Sequence, residues 1–149
     1  MSSNIGVMGH PIGHTKSPIF QQAGLNELGI DETFEAWDVL PEDLEDKVAT
    51  FREKGFIAAC VTLPHKQAVI PMVDELTEAA ESVGAVNWIF NRDGKLIGHN
   101  TDCNGFLRAL KEEAGFDPKG ADAVVFGAGG AARAIVYALK TAGVNRLTI

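Results

Sequence analysis

The stretch VFGAGGAARAIVYAL, residues 125–139, constrains this chain more than any other. An apolar run enters a glycine-rich turn and leaves it with apolar residues at helical spacing. Gly127, Gly129 and Ala132 stand at the G-x-G-x-x-A interval. In a strand–turn–helix unit the first glycine permits the tight turn and the second lets backbone approach a pyrophosphate. The small third residue lets helix pack close on strand. Backbone N–H groups of the first helical turn then face the diphosphate. A tight turn without a ligand is the alternative, but the motif carries most weight between a strand and a helix, as here. The residue that separates NAD from NADP belongs about 20 positions further on, past Ile149. Both cofactors stay open at this point.

Strand and helix signals alternate ahead of that turn. NIGVMG (4–9) is a short apolar strand ended by glycine. SPIFQQAGLNELG (17–29) predicts a helix with Ser17 as N-cap and Pro18 at the first helical position. TFEAWDV (33–39) alternates as a strand with one buried face. PEDLEDKVATFREKG (41–55) predicts a helix, acidic at its start and basic at its end. FIAACVTL (56–63) is continuously apolar, the mark of a strand buried on both faces of a parallel sheet. DELTEAAESVG (74–84) and TDCNGFLRALKEEAG (101–115) read as helices, while AVNWIF (85–90) and KLIGH (95–99) bracket NRDG as a hairpin. FDPKGAD (116–122) is the linker candidate. The expected fold class is therefore α/β: a complete mixed α/β unit over residues 1–115, then a linker and the first βαβ of a Rossmann-like unit over 116–149. A Rossmann unit has about six strands, so residues 116–149 are expected to be an incomplete one. Alone they should leave apolar strand edges uncovered, and the 149-residue chain by itself is expected to bind its dinucleotide poorly and to show no measurable activity.

Composition narrows the partners. Of 149 residues, 46% are hydrophobic and 22% charged, and 13 Lys+Arg stand against 20 Asp+Glu for a net charge of −7. That balance excludes a general nucleic-acid or anionic-membrane surface. No apolar stretch approaches the ~20 residues of a membrane span, and no leader-like segment opens the chain. Cys60 and Cys103 stand alone, and His10, His14, His65 and His99 lack metal-site spacing, so no metal is expected. Reduced thiols and a cytoplasmic location follow.

The chemistry-bearing residues gather where strands end. GHPIGHTKSP (9–18), TLPHK (62–66), AVN (85–87) and NTD (100–102) all flank predicted strands, and in an open α/β sheet ligands collect at the C-terminal strand ends. Hydroxyls of Thr15, Ser17 and Thr62 with the amide of Asn87 suit a polyhydroxylated substrate. Lys66 and Asp102 supply a proton-handling or orienting pair. Each has a plainer reading: Ser17, Thr101 and Asp102 as helix caps, Lys66 as a solvated surface lysine.

Taken together, GHPIGHTKSP, VTLPHK, GAVN, GHNTD and GAGGAARA, in that order over residues 5–149, resemble the shikimate dehydrogenase family. The resemblance implies a substrate domain joined across a cleft to an NADP-binding Rossmann domain, with NAD not excluded. It implies NADPH-dependent reduction of 3-dehydroshikimate to shikimate in aromatic amino-acid biosynthesis. By position, Thr15 and Ser17 would hold the substrate carboxylate, and Thr62, Asn87 and Asp102 the ring hydroxyls. Lys66 and Asp102 would be catalytic, and Gly127, Ala128, Gly129, Gly130 and Ala131 would form the phosphate turn. A lysine ammonium beside the ring carbonyl stabilises the charge that builds there. An ionised Asp nearby favours the charged lysine, so Lys66 is expected mainly to orient and stabilise, with proton transfer driven by the alkoxide. Thr15 where the family usually has Ser, Cys60 where it has Asn, and Trp88 where it has Thr are the departures. The extra methyl of Thr15 leaves quinate as an alternative substrate, since one methyl discriminates by only ~1–3 kcal/mol. A folate dehydrogenase of the same architecture fits the hydroxyl-rich segments less well. A non-catalytic module binding a shikimate-like ligand is the other alternative, against which the retained Lys66 and Asp102 count. The small-molecule substrate is the expected partner, and a homodimer is compatible with the sequence.

Overall fold

The computed structural model describes residues 4–149, so the first three positions of the expected 1–115 unit lie outside the described residues. Strands β1 (Ile5–Gly9), β2 (Phe34–Asp38), β3 (Ala58–Val61), β4 (Glu75–Leu76), β5 (Trp88–Arg92) and β6 (Lys95–His99) form one sheet in the order β2-β1-β3-β5-β6-β4. Pairing is parallel throughout except on the two sides of β5, which runs against β3 and β6. A second, two-stranded parallel sheet pairs β7 (Asp122–Val124) with β8 (Arg146–Thr148). The fold is mixed α/β, as expected from the sequence.

The period of two along each strand sorts side chains onto two faces. Met8, Ala59, Val61 and Ile89 face one side, where Leu44 and Val48 of helix α2 (Leu44–Thr50) and Ala80 of α3 (Glu78–Val83) cover them. Val7, Ala58 and half-buried Cys60 and Trp88 face the other, under Ile12 of the β1–α1 loop and Leu25 of α1 (Ser17–Glu27). Strand β3 is thus buried on both faces, as its apolar run demands, but only its β1 side is parallel. The hairpin turn uses Asp93 and Gly94 at φ of 55° and 85°, the two-residue geometry that Asp-Gly favours.

Four local expectations need correction. Ser17 is the first helical residue of α1 and Lys16 precedes it, so Ser17 is not the cap. The Ser17 N–H is met instead by the Thr15 hydroxyl at 3.2 Å. The helix expected over 41–55 is a 3-10 turn at Pro41–Asp43 followed by the short α2. Beyond Thr50 the Phe51 ring is buried and stacks on Phe56 at 4.3 Å, and Arg52 leaves the helix axis to bind Asp74 and the carbonyls of Gly94 and Met72. These tertiary contacts outweigh helix propensity. Residues 75–76, expected to be helical, add to the sheet edge as β4, and α3 starts only after its cap Thr77. The alternation in β2 predicts one buried face, yet Phe34 enters one core and Trp37 packs against the other, because consecutive Ala36 and Trp37 break the pattern.

Helix α4 (Asp102–Glu112) follows β6, and α5 (Gly130–Ala142) links β7 to β8. Cys103, Phe106 and Leu107 of α4 meet Ala134, Tyr137 and Ala138 of α5 in a third apolar cluster with Val83 and Ala85. Both trios follow i, i+3, i+4 spacing, which puts each on one helix face. Among the described residues no helix is long and apolar enough to cross a membrane.

Candidate active site

Topology decides which loops meet. The C-terminal ends of β1 and β3 lie side by side because the two strands are parallel. Strand β5 is antiparallel to β3, so its beginning, not its end, reaches that same edge: Cys60 pairs with Trp88 and Trp88 with His99. Asn87, just before β5, and the 100–102 segment, just after β6, therefore arrive beside the 62–66 loop. The ladder continues past the strand ends, with Val61 N–H donating to Asn87 O at 2.8 Å and Asn87 N–H to His99 O at 2.9 Å.

On this edge Lys66 Nζ donates to Asp102 Oδ2 at 2.6 Å, although the residues are 36 apart in sequence. Their side chains are 15% and 29% exposed, so a ligand can reach them while most water is kept off the pair. Asn87, a buried residue, donates through Nδ2 to Asp102 Oδ1 at 2.7 Å and to Thr101 Oγ1 at 2.8 Å. The Asp102 carboxylate thus receives the ammonium on one oxygen and an amide on the other. Thr101 and Asp102 do not act as side-chain caps of α4; their side chains serve this cluster instead.

Further contacts hold the cluster rigid. Asn100 is 1% exposed; its Oδ1 accepts from Asp102 N–H at 2.9 Å and its Nδ2 donates to Ala85 O at 3.0 Å. His65, equally buried, donates from Nε2 to Val39 O at 2.7 Å and ties the lysine loop to the end of β2. Val86 N–H donates to Lys66 O at 2.7 Å. Sequence reasoning did not single out Asn100 or His65. An Asn and a His at strand-end corners were the available signals, but burial alone distinguishes a strut from a surface group.

Thr62 lies at the same edge, half-buried, with its N–H on Met8 O and its carbonyl accepting from His65 N–H, both at 2.9 Å. Thr15 and Ser17 form a pair of their own on the adjacent β1–α1 loop, hydroxyl to hydroxyl at 3.2 Å. That loop is fastened to the lysine loop by His10 N–H on Leu63 O at 3.0 Å. Cys60 faces the charged pair from β3, and burial pushes its thiol up from 9.0 to about 11 against the opposing influence of Lys66. It is a neutral thiol there at ordinary pH.

The glycine turn borders this cluster. Gly127 has φ of 116°, a conformation that favours glycine. Gly127, Ala128, Gly129 and Ala131 are exposed, no side chain caps the first turn of α5, and nothing occupies the space beside Gly129. Free N–H groups at a helix N-terminus suit a phosphate, so these residues fit the cofactor diphosphate. Gly130 alone of the turn is buried, against the stem of Lys66. An apolar cavity of about 140 Å³ beside the turn is lined by Ala132, Arg133 and Val136. A larger one, about 420 Å³, lies elsewhere between Arg52 and the 91–94 turn. Its guanidinium is already committed to Asp74 and it contains none of the cluster above. Among the described residues no group of His, Cys, Asp and Glu could hold a metal ion.

Comparison with known proteins meets this geometry from outside. The family profile described as shikimate dehydrogenase substrate binding domain matches residues 7–89. The chain is 46% identical over 145 residues to the shikimate dehydrogenase (NADP(+)) of Methanopyrus kandleri, covering 97% of this chain and 50% of that protein. The chain thus spans about half the length of the curated relatives it matches. The structure superposes on shikimate 5-dehydrogenase from Thermus thermophilus in complex with shikimate with a TM-score of 0.88 at 38% identity, over 96% of this chain and 54% of that one. It also superposes on 5-ketofructose reductase of Gluconobacter sp. strain CHM43, with a TM-score of 0.84 at 37% identity, over 96% and 51% of the two chains.

Proposed function

This chain belongs to the shikimate dehydrogenase substrate binding domain family, and from that premise we propose that it carries the substrate site and catalytic pair of an NADP-dependent shikimate dehydrogenase. On this reading residues 1–115 bind and turn over the substrate, and residues 116–149 begin the cofactor-binding unit. The reaction is reversible reduction of the 3-dehydroshikimate ring ketone to shikimate, in the cytoplasm. The observation that carries the proposal is the Lys66–Asp102 pair, held at 2.6 Å and bridged by Asn87 at the C-terminal edge of the sheet.

NADPH, when bound along the glycine turn through Gly127, Ala128, Gly129, Gly130 and Ala131, supplies the hydride. Everything else falls to this chain's side chains. Lys66 directs an ammonium at the carbonyl oxygen, where negative charge grows, and hands that oxygen a proton as it becomes an alkoxide. Asp102 keeps the ammonium aimed and accepts a substrate hydroxyl, while Asn87 holds Asp102 in that orientation. Thr62 is assigned to a ring hydroxyl. Thr15 and Ser17, two hydroxyls 3.2 Å apart on the neighbouring loop, are assigned to the substrate carboxylate. Support for shikimate comes from the Methanopyrus kandleri relative's name and the Thermus thermophilus complex with shikimate.

The test is oxidation of shikimate by NADP, followed by absorbance, with residues 1–149 carried in a protein that continues to the length of those relatives. Lys66→Ala should lower turnover by about 100-fold or more, within the range for a removed general acid, with little change in the far-UV spectrum. A loss of less than tenfold would sink the assignment.

A further inference from the structure

We infer that Gly130 is a positioning residue for Lys66: its missing side chain leaves the slot in which the lysine stem reaches Asp102. The inference rests on the reading above for its catalytic meaning, but the contact stands on geometry alone.

Neither the motif nor the backbone requires glycine at 130. The G-x-G-x-x-A spacing falls on 127, 129 and 132, and Gly130 is not among the glycines with positive φ. As the first residue of α5 it would ordinarily be improved by alanine, since glycine weakens a helix. What opposes alanine is the neighbour. A methyl built there would lie 3.1 Å from Lys66 Cδ, 3.4 Å from Lys66 Cβ and 3.6 Å from Ala85 Cβ.

The stem has little freedom to yield. Its backbone is held by Val86 N–H on Lys66 O at 2.7 Å, and its tip by Asp102 at 2.6 Å. The fully buried Ala85 stands 3.6 Å from the same point, so the methyl has little room to move away from the stem. An added methyl must therefore shift the middle of a chain fixed at both ends, and the end most easily released is the ammonium. Gly129, one residue earlier, meets nothing within 4 Å. Adjacent glycines then do separate jobs: Gly129 keeps room for the diphosphate, and Gly130 sets the ammonium. The contact couples the cofactor turn to the proton donor through packed atoms rather than through the ligand.

The two variants Gly130→Ala and Gly129→Ala distinguish these jobs. The primary readout is trace acetylation of each lysine on the 149-residue chain, quantified by mass spectrometry, because it needs no turnover. Gly130→Ala should raise labelling of Lys66 several-fold while Lys47, Lys111 and Lys140 keep their rates; Gly129→Ala should change none. In the protein extended as above, Gly130→Ala should cut kcat about tenfold or more, with a smaller rise in KM for NADP than Gly129→Ala gives, since small misplacements of catalytic groups are costly. Gly129→Ala should mainly raise KM for NADP. If Gly130→Ala unsettles the fold, the double variant Gly130→Ala/Ala85→Gly gives the added methyl room away from the stem and should return Lys66 labelling toward wild type. Unchanged Lys66 labelling in Gly130→Ala overturns the inference, and so does a general rise across all lysines that Ala85→Gly does not reverse. A weak effect of Lys66→Ala on turnover would instead sink the proposed function and leave the labelling result standing.

Discussion

The six-stranded part of the molecule and the β7–α5–β8 part solve the burial problem differently. In the first, Met8, Ala59, Ile89 and Leu96 are fully buried between the sheet and its helices, and the other sheet face has its own cluster. In the second, Val124, Phe126 and Ile149 are 62%, 93% and 71% exposed, and dry packing is concentrated where α5 meets α4 and α3. The difference teaches where rigidity is available. The Lys66–Asp102–Asn87 cluster is built on elements that close their own core, whereas the glycine turn is aimed by a single helix face of small residues. Those alanines bring the helix near enough for Gly130 to touch Lys66.

The comparison breaks most visibly in the sheet core. Ile89→Ala should cost about 2–5 kcal/mol, the range for emptying a packed core position. Because both parts depend on the sheet, urea unfolding followed by hydrogen exchange should show protection lost in α5 and in β3 together. Loss confined to one of them would contradict the dependence. A smaller and more selective effect is expected at the helix pair. Ala134→Leu overpacks a residue that is fully buried against Cys103 and should cost about 1–3 kcal/mol. Exchange should rise in α5 and β7–β8 while β1 and β3 stay protected. If β1 and β3 open equally, the two parts are one cooperative unit.

The two thiols sharpen the same contrast through pH. Burial raises both Cys60 and Cys103 above the ordinary thiol value. For Cys60, a folded value of about 11 against an unfolded one near 9.0 means that the unfolded chain sheds its proton first as pH rises. Its contribution is therefore complete below pH 9 and declines between pH 9 and 11, by about 1 kcal/mol at pH 10. Cys60→Ala should flatten the decline in urea stability over that window by this amount; an unaltered slope would show the thiol to be better solvated than its surroundings indicate. Alkylation at pH 8 should be slow at both sites, and Ala134→Leu should speed it at Cys103 alone.

Much of this organisation is legible in residue order. The alternation of strand and helix, the Asp-Gly hairpin and the glycine turn all rest on interactions within a few residues, and all are present. The departures have long-range causes. Residues 41–55 carry a sound helix pattern, yet Arg52 is drawn to Asp74 and to the Gly94 carbonyl. Residues 75–76 become strand because β6 presents an open edge. The helices of 74–84 and 101–115 form but run shorter than their patterns. Around the site, the polar types are visible as Lys66, Asn87 and Asp102. Their supports are not, because Asn100 and His65 look like any surface polar residue until their burial is known.

Residue order thus dictated the period of each element, the tight turns and the supply of polar groups at strand ends, since φ/ψ preference and side-chain patterning act locally. Tertiary structure alone decided that β5 runs backwards, and with it that Asn87 and Asp102 arrive beside Lys66. It also decided that Gly130 closes on the lysine stem. Such meetings depend on which strand edges pair and which faces pack across dozens of residues, and no local propensity encodes that choice.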